Sequence, residues 1–457
     1  MKDTDRTRFE KLASWAQGHG ARLHPALEVY HDDVTKFSLR VKQSASRLEP
    51  GFVAVICPLS ITLSYLNALI DGPFVPSSSP SGQPTPAFPA RFMASVPPHV
   101  IGRFFLIHEY LKGADSFWKP YITALPRPEH IASWALPAFW PEEDLDFLEG
   151  TNAYVATEEI QANVKREFKQ ARKILKEEAF PNWQDYSRVL YNWAFCIFTS
   201  RSFRPSLITS PPSREEIINA LPSGCGIDDF SILQPLFDIP NHSITAKYSW
   251  DLTSDPTSCQ LICGDAYEPS DQAYNNYGMK TNSELLLGYG FVLPETEQLH
   301  NDYVHLRKRQ EETSTDKPKD FLISLRPFKH PSSLVGRARP ESHIHSPLHE
   351  VPQFSHFEPS LIDDLASSLS TEEERRSINQ PSLEDGNVNP NPVPEALVGR
   401  IKDALSEKLG FDLHRLQSVE IEESETGDAF NSNQQLALHY RKQCEKVLVA
   451  AIQALGN

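Results

Sequence analysis

Asp238-Ile-Pro-Asn-His-Ser243 and, further along, Tyr277-Gly-Met-Lys-Thr-Asn-Ser-Glu-Leu-Leu-Leu-Gly-Tyr289-Gly-Phe291 are the two most informative stretches of the chain. Taken alone, each has an ordinary structural reading. Asn241 after Pro240 suits an Asx-type turn beside a satisfied histidine. Tyr277 and Tyr289 suit core aromatics with a polar tip. Thr281-Asn-Ser-Glu284 is a capping-box pattern ahead of Leu285-Leu-Leu287, so a helix is predicted to start there, to carry Tyr289 at its far end, and to stop at Gly288 and Gly290. Lys280 at its mouth reads as a solvated charge.

Upstream, Val189, Leu190, Trp193, Ala194, Ile197 and Phe198 recur at helical spacing over Asp185–Ser202 and lead into Ser200-Arg-Ser-Phe203. Arg201 there reads equally as a cation at a helix C-terminus. Short strands and turns are predicted from Cys225 to Phe291. At the amino end, Phe9, Leu12, Trp15 and Ala16 mark an amphipathic helix closed by Gly18 and Gly20, followed by strands at Phe37–Val41 and Phe52–Cys57. Eight prolines between Pro73 and Pro98 predict a surface loop without helix or sheet. From Ile101 to Lys176 the pattern is helical, with Phe104, Phe105, Ile107 and Leu111 on one face and a long charged helix over Glu158–Glu178. Beyond His300 the chain is polar with helical patches, a Pro/Asn/Asp-rich loop at Ser377–Pro394 and a closing amphipathic helix at Leu436–Leu455. No internal repeat is present, which argues against a solenoid.

The 457 residues, 40% of them hydrophobic, can bury two or three cores. Sixty acidic against 44 basic side chains give a formal charge of −16, which argues against a nucleic-acid partner and suits a basic, lysine-bearing one. No segment approaches the roughly 18 apolar residues of a membrane span, and the first residues lack an apolar leader, so a soluble protein of the cytoplasm, the nucleus or both is predicted. The six cysteines are scattered and fit free thiols in a reducing compartment. Cys259 and Cys263 lack a second ligand pair, so no metal site is expected.

The two opening stretches together resemble the Asn-His and closing motifs of SET-domain protein lysine methyltransferases, in the Rubisco large-subunit methyltransferase-like class. The order of the pieces resembles that class too, down to a helical carboxy-terminal region at Asn433-Gln-Gln-Leu-Ala-Leu-His-Tyr-Arg441. The resemblance implies an α+β fold, a β-rich SET domain with a helical insert, followed by an all-α domain. The expected boundaries are 1–72 and 184–299 for the SET portions, 73–98 for the Pro/Ser-rich loop, 99–183 for the insert and 300–457 for the substrate-binding domain. It implies S-adenosyl-L-methionine as cofactor, held by Asn241, His242, Arg201, Ser200, Phe203 and Phe37. It further implies a catalytic Tyr277, a channel Tyr289 that is both catalytic and substrate-binding, Asp238 on the substrate side, no metal, and a protein substrate presenting a lysine, expected to be non-histone. Where the family builds a Gly-x-Gly turn, this chain reads Lys36-Phe37-Ser38-Leu39. Two alternatives stand beside that reading: a catalytically silent SET-fold module that binds a protein, and transfer to histidine or another nucleophile.

Overall fold

The computed structural model describes residues 3–33, 36–75, 85–308, 319–339, 346–379, 382–384, 387–389, 393–419 and 430–456. They form two compact units, Met1–Ala135 with Ile160–Gly278, and Leu136–Glu159 with Met279–Asn457.

In the first unit, α1 (Asp3–Gly18) buries Phe9, Leu12 and Ala16 at helical spacing and gives way to Gly20 at φ +91°. Four strands follow: β1 (Arg22–Leu23), β2 (Leu27–Asp32), β3 (Lys36–Val41) and β4 (Phe52–Pro58). Then come α2 (Pro98–Lys112), α3 (Asn152–Glu177, whose first turns belong to the second unit) and α4 (Arg188–Arg201). The unit closes with β5 (Ser202–Phe203), β6 (Ile232–Leu233), β7 (Tyr248–Asp251), β8 (Ser258–Cys263) and β9 (Gln272–Ala273). The strands pair antiparallel as β1-β4-β8-β7, β2-β3-β9 and β5-β6. A register shift between Val53 and Val55 lets the neighbours Ala54 and Val55 both face inward, which explains why β4 reads as a continuous apolar run rather than an alternating one. Cys57, Cys259 and Cys263 are buried free thiols, and burial pushes Cys259 and Cys263 up to about 12, which leaves them as packing groups.

The helical part of this unit is an aromatic core of Phe92, Phe104, Phe105, Trp118, Tyr121, Tyr191 and Trp193. Burying each such ring stabilises the fold by about 2 kcal/mol or more. Glu167 on α3 accepts from Arg103 at 2.7 Å and from Tyr191 at 2.9 Å, so one carboxylate ties α2, α3 and α4. The expected proline loop needs correction here. Residues 90–95 are free of proline, and Ala90–Ser95 folds as a helix behind Pro89, with Phe92 fully buried against Phe88 and Phe104. Pro98 then opens α2 at a first-turn position, where a missing N–H costs nothing. Residues 76–84 of that loop lie outside the described residues.

In the second unit, α5 (Asn282–Tyr289) starts on a complete Thr281/Glu284 capping box and ends at Gly290, φ +76°. β10 (Tyr303–Arg307) and β11 (Asp320–Ser324) form an antiparallel pair, and α6 (Pro359–Leu369) follows. This strand pair departs from the expected helical patches; each strand is only five residues long and set in polar surroundings that dilute its period-two pattern. Within the expected Ser377–Pro394 loop, β12 (Ser382–Glu384) and β13 (Asn387–Asn389) pair antiparallel, a second departure. Residues 380–381, 385–386 and 390–392 lie outside the described residues. Finally α7 (Glu395–Gln417) and α8 (Ser432–Gly456) pair, with Leu397, Ile401, Leu405 and Leu409 of α7 buried at four-residue spacing. Arg441 of α8 donates to Leu416 O at 2.6 Å and to Glu149 O. Gly150, at φ +82°, lies so close to α7 that an added Cβ would sit 3.0 Å from Arg415 O. Among the described residues, no helix is long and apolar enough to cross a membrane.

Candidate functional site

The first unit brings the two opening stretches side by side. Asn275 N–H donates to Asn241 O and Ser243 N–H donates to Asn275 O, each at 2.9 Å, forming a parallel bridge between His242 and Asn275. Two residues further on, Tyr277 N–H donates to His242 Nδ1 at 3.0 Å. Their rings stack with centroids 5.1 Å apart and 20° between planes, and the Tyr277 hydroxyl donates to Pro240 O at 2.9 Å. An accepting Nδ1 puts the neutral imidazole's proton on Nε2, and a hydroxyl that donates to a carbonyl presents its oxygen to other groups as an acceptor.

The departure at Lys36-Phe37-Ser38-Leu39 resolves in backbone terms. Lys36 adopts φ +58°, the left-handed conformation a glycine supplies without strain, and its Nζ donates to Asp33 O at 2.7 Å. Ser38 is fully buried, and its hydroxyl accepts from Asn241 N–H at 3.1 Å. The Asn241 amide donates to Gln272 Oε1 at 3.0 Å. Between them, the Phe37 ring lies 4.9 Å from Phe9 and 4.8 Å from His31, with the Arg8 guanidinium 4.9 Å over it.

At the end of α4, Arg201 donates to Asp238 O at 3.2 Å and faces Asp238 Oδ2 at 3.5 Å. Tyr121 donates to the same Oδ2 at 3.0 Å. Burial raises the Asp238 carboxyl above the usual range, against the pull of Arg201 and Tyr121. Ser200 turns its hydroxyl back to Cys196 O at 2.8 Å, and Phe203 meets Phe237 and Trp250 edge-on at 5.3 and 5.8 Å. Burial lowers the Arg8 guanidinium, Asp5 opposes this, and the positive charges of Arg127 and Arg201 lower it further.

Tyr289 belongs to the second unit, at the carboxyl end of α5, with its ring 6.3 Å from Phe291. Sequence reasoning missed Arg8, Tyr121 and Ser38. Arg8 and Tyr121 carry no local signal, whereas Ser38 could have been found as a small polar residue set between Phe37 and Leu39 in a predicted strand. Elsewhere in the first unit, Asp71, His108 and Glu109 form a metal-like group, but the Lys112 ammonium already bonds both carboxylates, at 2.8 and 2.7 Å.

No protein-family model matches the chain. It is 29% identical over 290 residues to ribosomal lysine N-methyltransferase set10 of Schizosaccharomyces pombe, covering 63% of this chain and 46% of that protein. It is 26% identical over 290 residues to actin-histidine N-methyltransferase of Mus musculus, covering 62% and 42%. The chain therefore spans less than half the length of either relative. The structure of Rubisco LSMT bound to AdoMet superposes over 100% of this chain and 92% of its own, with a TM-score of 0.63 and 16% identity. The chain has the fold of that SET-domain protein, and in sequence it resembles SET-domain protein lysine methyltransferases.

Proposed function

We propose that the protein transfers a methyl group from S-adenosyl-L-methionine to a lysine of a non-histone protein. The observation that carries this is the His242–Tyr277 pair, clamped by the Asn241–Asn275 bridge. The cofactor supplies an electrophilic methyl on a sulfonium, and a neutral amine forms the new C–N bond as the C–S bond breaks and a proton leaves. Asn241 and His242 hold the cofactor, with Arg201, Arg8 and the Phe37 and Phe203 rings contributing charge and apolar surface, and Ser200 at the end of α4. Tyr277, its proton committed to Pro240 O, offers an oxygen acceptor that orients the methyl and the amine. In the first unit Asp238 is assigned to the substrate side; in the second unit Tyr289 is assigned to the lysine channel, and the helices of 300–457 hold the protein substrate. The left-handed Lys36 favours a bound cofactor over the silent-module alternative, because at the first of the missing glycine positions it takes a backbone conformation that favours glycine.

Isothermal titration with S-adenosyl-L-methionine, followed by labelled-cofactor methylation of whole lysate and identification of the modified residue, tests the reading. Methyl-lysine is expected. Absence of binding by folded protein sinks the enzyme reading. Methyl-histidine would instead support the second reading, which likeness to an actin-histidine methyltransferase favours.

A further inference from the structure

In the second unit, one hydroxyl, one imidazole and one carboxylate stand in line. The Thr281 hydroxyl lies 2.9 Å from His305 Nε2, and His305 Nδ1 lies 2.7 Å from Asp320 Oδ2. That order matches a nucleophile-activating triad. Thr281, however, is 1% exposed and is the N-cap of α5, so its oxygen cannot meet a substrate. A structural use remains, and proton counting narrows it.

The Thr281 oxygen accepts from Glu284 N–H at 3.2 Å, and its single proton has two candidate acceptors, Glu284 Oε2 at 3.1 Å and His305 Nε2. Asp320 accepts only, so His305 Nδ1 must carry a proton. If Nε2 carries one as well, it donates to Thr281 and Thr281 donates to Glu284, so every bond in the line is made at once. Burial alone would raise the Asp320 carboxyl, yet its bond to His305 and the charges of His305, Arg307 and Arg339 hold it below the usual range.

The helix so tied is eight residues long and carries Tyr289 as its last residue. In a helix of about two turns, the cap fixes the course of the whole element. We infer that His305 is a positioning residue for Tyr289: it fastens the start of α5 to the β10–β11 pair through Thr281 and Asp320, and so sets where the lysine-facing tyrosine stands. This rests on the reading of Tyr289 as a channel residue.

The test uses the full chain with Thr281→Val, Thr281→Ser and His305→Phe, and two measurements. Hydrogen exchange across 282–289 should quicken by about fivefold to tenfold in Thr281→Val, the loss of one cap, and by about threefold to fivefold in His305→Phe, the loss of one hydrogen bond to the capping hydroxyl, and stay at wild-type rates in Thr281→Ser. In methylation assays the same two variants should show a raised KM for the lysine substrate and a kcat lowered by about tenfold, with S-adenosyl-L-methionine affinity within about twofold of wild type. Thr281→Val serves where His305→Phe does not fold. Unchanged exchange over 282–289 overturns the inference, as does exchange that quickens equally throughout the second unit. If the wild-type protein methylates nothing, the proposed activity falls while the exchange result still decides the role of His305.

Discussion

Asp302 offers a stability test that needs no substrate. It lies just before β10, is 2% exposed, and neither carboxylate oxygen has a hydrogen-bond partner of good geometry. Burial first, and then the nearby Glu295, push its carboxyl up to about 6, against the opposing pull of Asn282, Lys446 and Arg326. A folded-state value about two pH units above an ordinary aspartate, at about 1.4 kcal/mol per unit, makes the ionised form roughly 3 kcal/mol unfavourable to the fold. Because the folded value is the higher one, that stability is fully present below the unfolded aspartate range and is lost as pH rises through about 6. Asp302→Asn keeps the shape and removes the charge. Allowing about 1 kcal/mol for an amide that needs partners of its own, the variant should gain about 2 kcal/mol at pH 8 and about 0.5 kcal/mol at pH 5. His300 does not confuse the comparison, since burial and Arg326 hold it down to about 4, leaving it neutral at both pH values. Urea titrations of wild type and variant at the two pH values read the difference in midpoint. An equal shift at both, or a loss at pH 8, refutes the reasoning.

Tyr277→Phe should lower kcat by roughly 100-fold while S-adenosyl-L-methionine affinity by calorimetry stays within about threefold, because the hydroxyl rather than the ring carries the role. Arg201→Met should destabilise the fold by about 3 kcal/mol at pH 8, since it strands the buried Asp238 carboxylate. The loss should shrink at pH 5, where a carboxyl raised by burial more readily takes a proton; melting curves at both pH values decide it. Lys36→Gly should relieve about 1 kcal/mol of left-handed strain and return a similar amount in unfolded-chain entropy, so the melting temperature should hardly move while cofactor binding persists.

Local signals in the sequence were legible and distant partnerships were not. The capping box at Thr281 and the stop at Gly290 can be read from neighbours three to nine residues apart, and α5 has both. The α1, β3 and β4 patterns are similarly short-range. By contrast, Ser38 meets Asn241 across 203 positions, Tyr121 meets Asp238 across 117, and His305 meets Thr281 across 24. No periodicity encodes such pairs. The β10–β11 pair was hidden for a different reason, since two strands of five residues leave too few alternations to outweigh their polar flanks. The helix at Ala90–Ser95 was hidden by composition: counting prolines across a window treats them as uniformly disruptive, whereas Pro89 stands at the N-cap, where its missing N–H interrupts no helical hydrogen bond.

The Lys36–Leu39 segment shows how a departure from a motif can be informative. By residue type the glycines are gone, yet Lys36 takes the left-handed conformation that favours glycine, at a cost of about 1–2 kcal/mol. Part of that cost is met locally, by the Nζ bond to Asp33 O. The second position is filled by a residue that does something a glycine could not: the Ser38 hydroxyl takes the N–H of Asn241 and so joins β3 to the segment that bears His242. With Arg8 lying over the intervening Phe37 ring, the same few residues that lack the expected glycines are held from three sides, by α1, by the Asn-His segment and by β9 through Leu39 and Arg40. The start of β3 is thus tied to three neighbouring segments. It follows that substituting Ser38 should loosen Asn241 more than it disturbs β3, a consequence that glycine counting alone could not have suggested.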